Sequence, residues 1–314
     1  MQGSYVKAMV HLLDRVLLAL MLAEPGQLVS VSRLAHDPQS SSMVDAARLL
    51  PTNGSGAEEV YLLDPDLVLA GTFTAPSTVA LLRDLGIEVV QFAPARALAD
   101  VPERIAQMGK ALGREDAAST MIDDFNARLA ALSDTPADRP RAALTYVNSY
   151  SSGDATLAGD ILRVAGFDNV ASEVGLSSVG TLPLEQLVML APDVIIQGRN
   201  YPGAARAEDN LDHPALHALK TTAMAGELTD RDWICGTPQV LSAIAAMRDL
   251  RRALDAGVVD RVFINEDMAY KEKSMISPAM VREFLLPCWA CWAREAREAG
   301  VQLIDEDSDG KVDE

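Results

Sequence analysis

Residues 58–71 and 185–198 align without a gap, EEVYLLDPDLVLAG against EQLVMLAPDVIIQG. Glu opens both copies, and Leu63 and Leu190 precede the loop residue. Pro65-Asp66 and Pro192-Asp193 follow, aliphatic residues come next, and Gly71 and Gly198 close the pair. A segment that recurs in this way within 314 residues predicts two similar lobes, each with its own core. In each copy the pattern predicts an amphipathic helix that stops before Pro, which cannot continue it, and then a short aliphatic strand buried on both faces. The closing glycine lets the chain turn at the strand's carboxyl end, which is where open α/β sheets hold their ligands.

The flanking segments extend both units. A strand near residues 6–10 leads into an amphipathic first helix, and after the first copy a helix over 79–85, Gly86 as its C-cap and a strand over 88–92 complete a βαβ unit. The second unit mirrors it, with a strand over 142–147, a polar loop over 148–154, a helix over 156–165 capped by Gly166 and a closing helix over 239–254. Between them runs a helical stretch over 101–132, interrupted near Gly113, and a linker over 133–139. The expected fold is α/β: two Rossmann-like lobes joined by a long rigid helix. The expected domains are 1–100, 101–138, 139–252 and a tail at 253–314.

The net charge of −18 and pI near 4.6 exclude the clustered Lys and Arg with which a protein grips a phosphate backbone, so no nucleic-acid partner is expected. An acidic surface keeps a protein soluble and monomeric. Gly-rich phosphate loops, G-x-S-x-G elbows and H-E-x-x-H are all missing. The three cysteines, Cys235, Cys288 and Cys291, make no disulfide framework, and the CWAC at 288–291 lacks the context of a zinc or thioredoxin site. His213 and His217 have helix-face spacing but Pro214 stands between them, so no metal is expected there. DEDSDG at 305–310 opens like an EF-hand loop, but its twelfth position falls beyond residue 314, so no calcium site is expected. The apolar run at 16–23 follows Lys7 and Arg15 but abuts Asp14, and is read as part of the first helix rather than a secretory leader.

The segments PDLVLAGTFTAPSTVALLRDLGIEVVQF, LTYVNSYSSGDATLAGDILRVAGFDNVA, LPLEQLVMLAPDVII, HPALHAL and DWICGTPQVLSAI, spread over residues 7–252, resemble periplasmic solute-binding proteins of ABC importers for cobalamin, iron-siderophores and haem. The resemblance implies two lobes joined by one rigid helix, with ligand captured between them, no catalysis and no cofactor. It also implies a permease and its ATPase as partners, met by a surface glutamate on each lobe; the matching positions are Glu58 and Glu185. A solvated charge favouring the helix dipole is the other reading of both. The resemblance implies a periplasmic location; without a leader, retention in the cytoplasm is the alternative expectation.

A large planar or macrocyclic ligand presents wide apolar faces, which Phe, Tyr and Trp on loops can cover while Arg pairs peripheral carboxylates or phosphate, and such loops suit cobalamin, haem and ferric siderophores alike. The candidates are Arg33, Thr72, Phe73, Asn148, Tyr150, Arg199, Tyr201 and Trp233; each is otherwise a partly buried loop anchor. From Gly257 onward, DMAYK, MISPAMVREFLLP and DSDG resemble a piece of the uroporphyrinogen decarboxylase and corrinoid methyltransferase family. That family folds as a TIM barrel, and a whole barrel takes about 250 residues. The expectation for the tail is a βαβ-like fragment without an active site. An enzyme of that class and a non-transport sensing or interaction protein are the rival functions.

Overall fold

The computed structural model describes residues 7–10, 13–38, 40–54, 56–133, 136, 138–198, 211, 213–220, 223–228, 233, 235–256, 261–265, 269–270, 273–274 and 303–307. Residues Met1–Arg248 form one compact unit and Asp249–Glu314 a second.

The first unit begins β1 (Ala8–Val10), α1 (Leu13–Leu22), β2 (Leu28–Ser32), α2 (Val44–Ala47), β3 (Thr52–Asn53), α3 (Ala57–Leu62), β4 (Leu67–Gly71), α4 (Pro76–Asp84) and β5 (Glu88–Phe92). All pairings are parallel, in the order β3-β2-β1-β4-β5. Helices α5 (Asp100–Leu112) and α6 (Glu115–Leu132) lead to the second lobe. It runs β6 (Arg141–Thr145), β7 (Tyr150–Ser152), α7 (Leu157–Val164), β8 (Asp168–Asn169), α8 (Val170–Glu173), β9 (Val179–Thr181), α9 (Leu184–Leu190), β10 (Val194–Gly198), α10 (Pro214–Lys220), β11 (Met224–Leu228) and α11 (Val240–Ala256). Its main sheet is parallel in the order β11-β10-β6-β8, with β7 and β9 as an antiparallel ribbon beside it. Read from one edge, β5-β4-β1-β2 and β11-β10-β6-β8 are the same arrangement, to which the first sheet adds β3.

The repeat occupies α3–β4 and α9–β10, and its residues play the same parts twice. Asp66 accepts the backbone N–H of Lys7 at 2.8 Å, and Asp193 accepts that of Arg141 at 2.8 Å. Each aspartate thereby fixes the start of its repeat strand against the central strand beside it. The residue before each proline, Asp64 and Ala191, is left-handed, with φ of 47° and 42°, because the chain must reverse there while proline forbids a further helical turn. For Ala191 that conformation costs about 1–2 kcal/mol. The cores match too. Met9, Val60, Val68, Val79 and Leu82 pack together in the first lobe, and Ala143, Leu187, Ile195, Leu216 and Leu219 in the second. Alternation along β4 sends Leu67 and Leu69 to the opposite face, so the strand is buried throughout.

The connection between lobes is two helices rather than one long rod. Gly113 caps α5 at φ 66°, and the chain restarts as α6 packed on α5, so closely that a Cβ on Gly109 would lie 2.3 Å from that of Ala118. Arg114 holds the turn to the first lobe, donating from Nε to the Leu22 carbonyl at 3.1 Å and pairing with Glu24. Gln27 donates to the Leu112 carbonyl at 2.8 Å, satisfying one of the last carbonyls of α5.

In the second unit β12 (Arg261–Asn265) and β15 (Leu303–Asp307) are parallel, while β13 (Ala269–Tyr270) and β14 (Lys273–Ser274) form an antiparallel pair. Parallel pairing of β12 with β15 requires a crossover. The helix expected in it, and Cys288 and Cys291, lie outside the described residues.

At the amino edge of the second sheet Arg141 grips Glu173 through two hydrogen bonds of 2.9 and 2.8 Å, which hold the Glu173 carboxyl below the usual carboxylate range and raise the Arg141 guanidinium. Both side chains are partly solvated, at 42% and 37% exposure, so the pair contributes only about 0.5 kcal/mol. That increment is complete above the ordinary Glu pKa and is lost as pH falls through the depressed one; Glu173→Gln should remove it at pH 7 and leave acid stability unchanged in urea melts. Asp193→Ala should cost about 0.5–1.5 kcal/mol, the ordinary net worth of a hydrogen bond, because the Arg141 N–H it accepts is solvent-accessible and water can replace the carboxylate. Asp66→Ala should add to it independently, and a loss under 0.3 kcal/mol for either would contradict the staple role.

Candidate functional site

Both sheets change winding direction between the central strand and the repeat strand, β1 against β4 and β6 against β10, the topological position at whose carboxyl ends open α/β sheets hold ligands. In the first lobe, Arg33 begins a 3-10 turn (Arg33–His36) directly after β2 and is exposed. After β4, Gly71 donates its N–H to Thr74 Oγ1 at 3.2 Å and Thr72 donates its own to the Phe92 carbonyl at 3.0 Å. This tight turn leaves Thr72 exposed and presents Phe73 with 79% of its surface in solvent. So displayed, Phe73 adds little to the core.

In the second lobe the chain leaves β6 through Asn148 and Ser149, both at φ 57°, a strained pair for residues with a Cβ. The Tyr146 N–H reaches back to the Tyr150 carbonyl at 2.8 Å and closes the turn, leaving Asn148 exposed and Tyr150 46% exposed. Arg199 and Tyr201 follow β10 but lie outside the described residues. Trp233 is only 2% exposed and packs its ring 5.7 Å from that of Tyr146, supporting this loop from beneath rather than standing exposed.

Buried polar atoms without a protein partner, unusual in a well-packed interior, occur at this end of the second sheet. Among the described residues they include Thr145 Oγ1 and Gln197 Nε2, on paired positions of β6 and β10, Ser151 Oγ on β7 and Trp233 Nε1. Nothing in the local sequence marks these atoms, because each belongs to an ordinary strand or loop residue until register puts it at the carboxyl end.

The lobes meet where their carboxyl ends come together. Gly236, past β11, lies so close to Ala95, past β5, that a Cβ on it would sit 2.2 Å from the Ala95 methyl. The Leu98 N–H donates to Asp160 Oδ2 on α7 at 2.8 Å. Beside this seam Arg15, 4% exposed, donates from Nη2 to the Phe92 carbonyl at 2.8 Å. A void of about 10 Å³ lined by Arg15, Phe92, Arg104 and Gly236 has room for about one water. Sequence reasoning read Arg15 only as a charge flanking the apolar run at 16–23, not as a buried group; its signal is a cation next to Asp14 at the head of that run. Among the described residues no group of three or more His, Cys, Asp or Glu could hold a metal. His213 instead caps α10, its Nδ1 accepting from the Ala215 N–H at 3.1 Å, and no described helix is long and apolar enough to cross a membrane.

Glu58 and Glu185 stand elsewhere, each exposed in the first turn of its helix, α3 and α9. They are equivalent by repeat, by helix position and by lobe.

The pattern of the periplasmic binding protein family matches residues 13–223. Cobalamin-binding proteins of two Halobacterium salinarum strains are 34% identical over 176 residues, 54% of this chain and 48% of theirs. The chain thus spans about half the length of the curated relatives it matches. Among solved structures, the apo periplasmic heme-binding protein RhuT from Roseiflexus sp. RS-1 aligns with a TM-score of 0.66 and 20% identity, over 80% of this chain and 98% of that one. The periplasmic vitamin B12 binding protein BtuF of Vibrio cholerae aligns with a TM-score of 0.59 and 17% identity, over 79% and 98%. At these identities the structures speak for the fold.

Thr145→Val removes an unpartnered buried hydroxyl at nearly constant volume. In the ligand-free protein it should be neutral or stabilising by up to about 1 kcal/mol, measured by urea unfolding; a loss above 1 kcal/mol would mean that the hydroxyl is satisfied in solution.

Proposed function

This chain belongs to the periplasmic binding protein family, and we propose that within it the chain is the solute-capturing component of an ABC importer for a corrinoid or ferric chelate, with cobalamin the first candidate. The observation that carries this is the 34% identity over 176 residues to proteins named for cobalamin binding; exposed aromatics on the turns after β4 and β6 support it. Phe73 from the first lobe and Tyr150 from the second would cover the ligand's flat faces, as exposed rings on fixed turns can do without a large ordering cost. Arg33 and Arg199 would pair with its peripheral acidic or amide groups. Thr72, Asn148 and Tyr201 complete the polar rim, and Trp233 acts through Tyr146.

In this reading the protein works as a monomer outside the cytoplasmic membrane, binds without chemistry and needs no cofactor. It hands its ligand to a permease coupled to an ATPase, docking through Glu58 and Glu185. For the tail we keep the reading of a βαβ-like piece similar to the uroporphyrinogen decarboxylase and corrinoid methyltransferase family, which the parallel pairing of β12 with β15 supports.

The test is titration of the full chain with cyanocobalamin, haemin and ferric siderophores, followed by tryptophan fluorescence corrected for ligand absorption and by calorimetry. Saturable one-to-one binding to one of them is expected, weakened about tenfold by Phe73→Ala or by Tyr150→Ala, since each removes most of one aromatic contact. A folded protein that binds none of these ligands would sink the ligand class and leave the family assignment standing.

A further inference from the structure

Beyond its carboxylate, each docking helix carries an exposed apolar pair that the fold does not use. On α3, Tyr61 and Leu62 are 51% and 82% exposed; on α9, Val188 and Met189 are 44% and 84% exposed. They stand three and four residues after Glu58 and Glu185, on the same helix face as the carboxylate. In the first lobe Leu81 of α4 and Leu85 just after it, 44% and 43% exposed, extend the patch, and the five residues Glu58, Tyr61, Leu62, Leu81 and Leu85 line a groove of about 390 Å³. Large apolar side chains are thus exposed twice at positions the repeat equates, and contiguous exposed apolar surface is the kind that interaction sites use.

Resting on the docking reading above, we propose that Leu62 with Tyr61 and Met189 with Val188 are paired apolar anchors. On this proposal the permease meets each lobe with a cation seated on the glutamate and an aliphatic or aromatic side chain packed against the pair. Repetition of the motif on two lobes fits a partner that presents the same surface twice, as a two-fold symmetric permease does. A second copy of this chain is the poorer occupant, because it would bring −18 against −18 and glutamate against glutamate. The carboxylates steer and orient the encounter, while the anchors supply contact that salt does not screen.

The experiment measures binding of the full chain to the source organism's cobalamin permease and ATPase, reconstituted in lipid nanodiscs, by biolayer interferometry at low and high salt. Leu62→Ser/Met189→Ser should bind ten- to hundredfold more weakly than wild type at both salt concentrations, the loss expected when two buried aliphatic contacts go. Glu58→Gln/Glu185→Gln should weaken binding chiefly at low salt, and Leu49→Ser, at an 85% exposed leucine outside the repeat, should change nothing. Because these residues are exposed, thermal melts of the variants should overlay that of wild type. Binding by Leu62→Ser/Met189→Ser within twofold of wild type, while the charge variant loses affinity, overturns the anchors and leaves docking intact. No binding by wild type overturns docking itself and the anchors with it. A dimer in sedimentation velocity that Leu62→Ser/Met189→Ser dissolves assigns the patch to self-contact and overturns the proposal.

Discussion

Asp66 and Asp193 accept the N–H that starts the neighbouring central strand, each at 2.8 Å, and register in the rest of each sheet follows from that alignment. A parallel sheet has no tight hairpins to fix which residue faces which, so a slip would exchange every buried aliphatic for its neighbour. A carboxylate at the amino edge closes off that freedom twice, with the same two-residue word, Pro-Asp. Proline stops the helix, the left-handed residue before it reverses the chain, and aspartate pins the strand that emerges. Once β4 and β10 are placed, their carboxyl ends are placed too, and with them the turns carrying Phe73 and the chain beyond Gly198.

The two ends of the second sheet are consequently built to different standards. At the amino edge nearly every polar group is engaged: Arg139 binds Asp168 and the carbonyls of Arg163 and Phe167, and Arg141 binds Glu173 and the Ala191 carbonyl. At the carboxyl edge Thr145, Ser151 and Trp233 keep buried polar atoms without protein partners, and Asn148 and Ser149 hold a costly backbone. The amino edge thus carries a network of largely solvent-exposed polar contacts, while the carboxyl edge buries polar atoms that no described residue satisfies.

The repeat was legible because helix stop, strand and turn each leave a residue-level mark, and the strand expected over 88–92 is β5 to the residue. Gly113 was legible as an interruption but not as a reversal, since the packing of α5 on α6 depends on Gly109 meeting Ala118, a tertiary contact with no local signature. The polar loop at 148–154 hid a short strand, β7, whose partner β9 lies beyond an intervening helix pair. Burial of Trp233 was illegible for the same reason: its neighbour Tyr146 is far away along the chain. Exposure of Phe73 followed from its place after a strand-ending glycine, where the sequence is local enough to be read.

At Gly236 the two lobes touch backbone to methyl, with no side chain between them. Contact that intimate leaves no room for a methyl at residue 236, so any side chain there would have to push the segment after β11 away from Ala95. The spacing of the two lobes along this seam is therefore set by one missing Cβ rather than by any interdigitating pair of side chains.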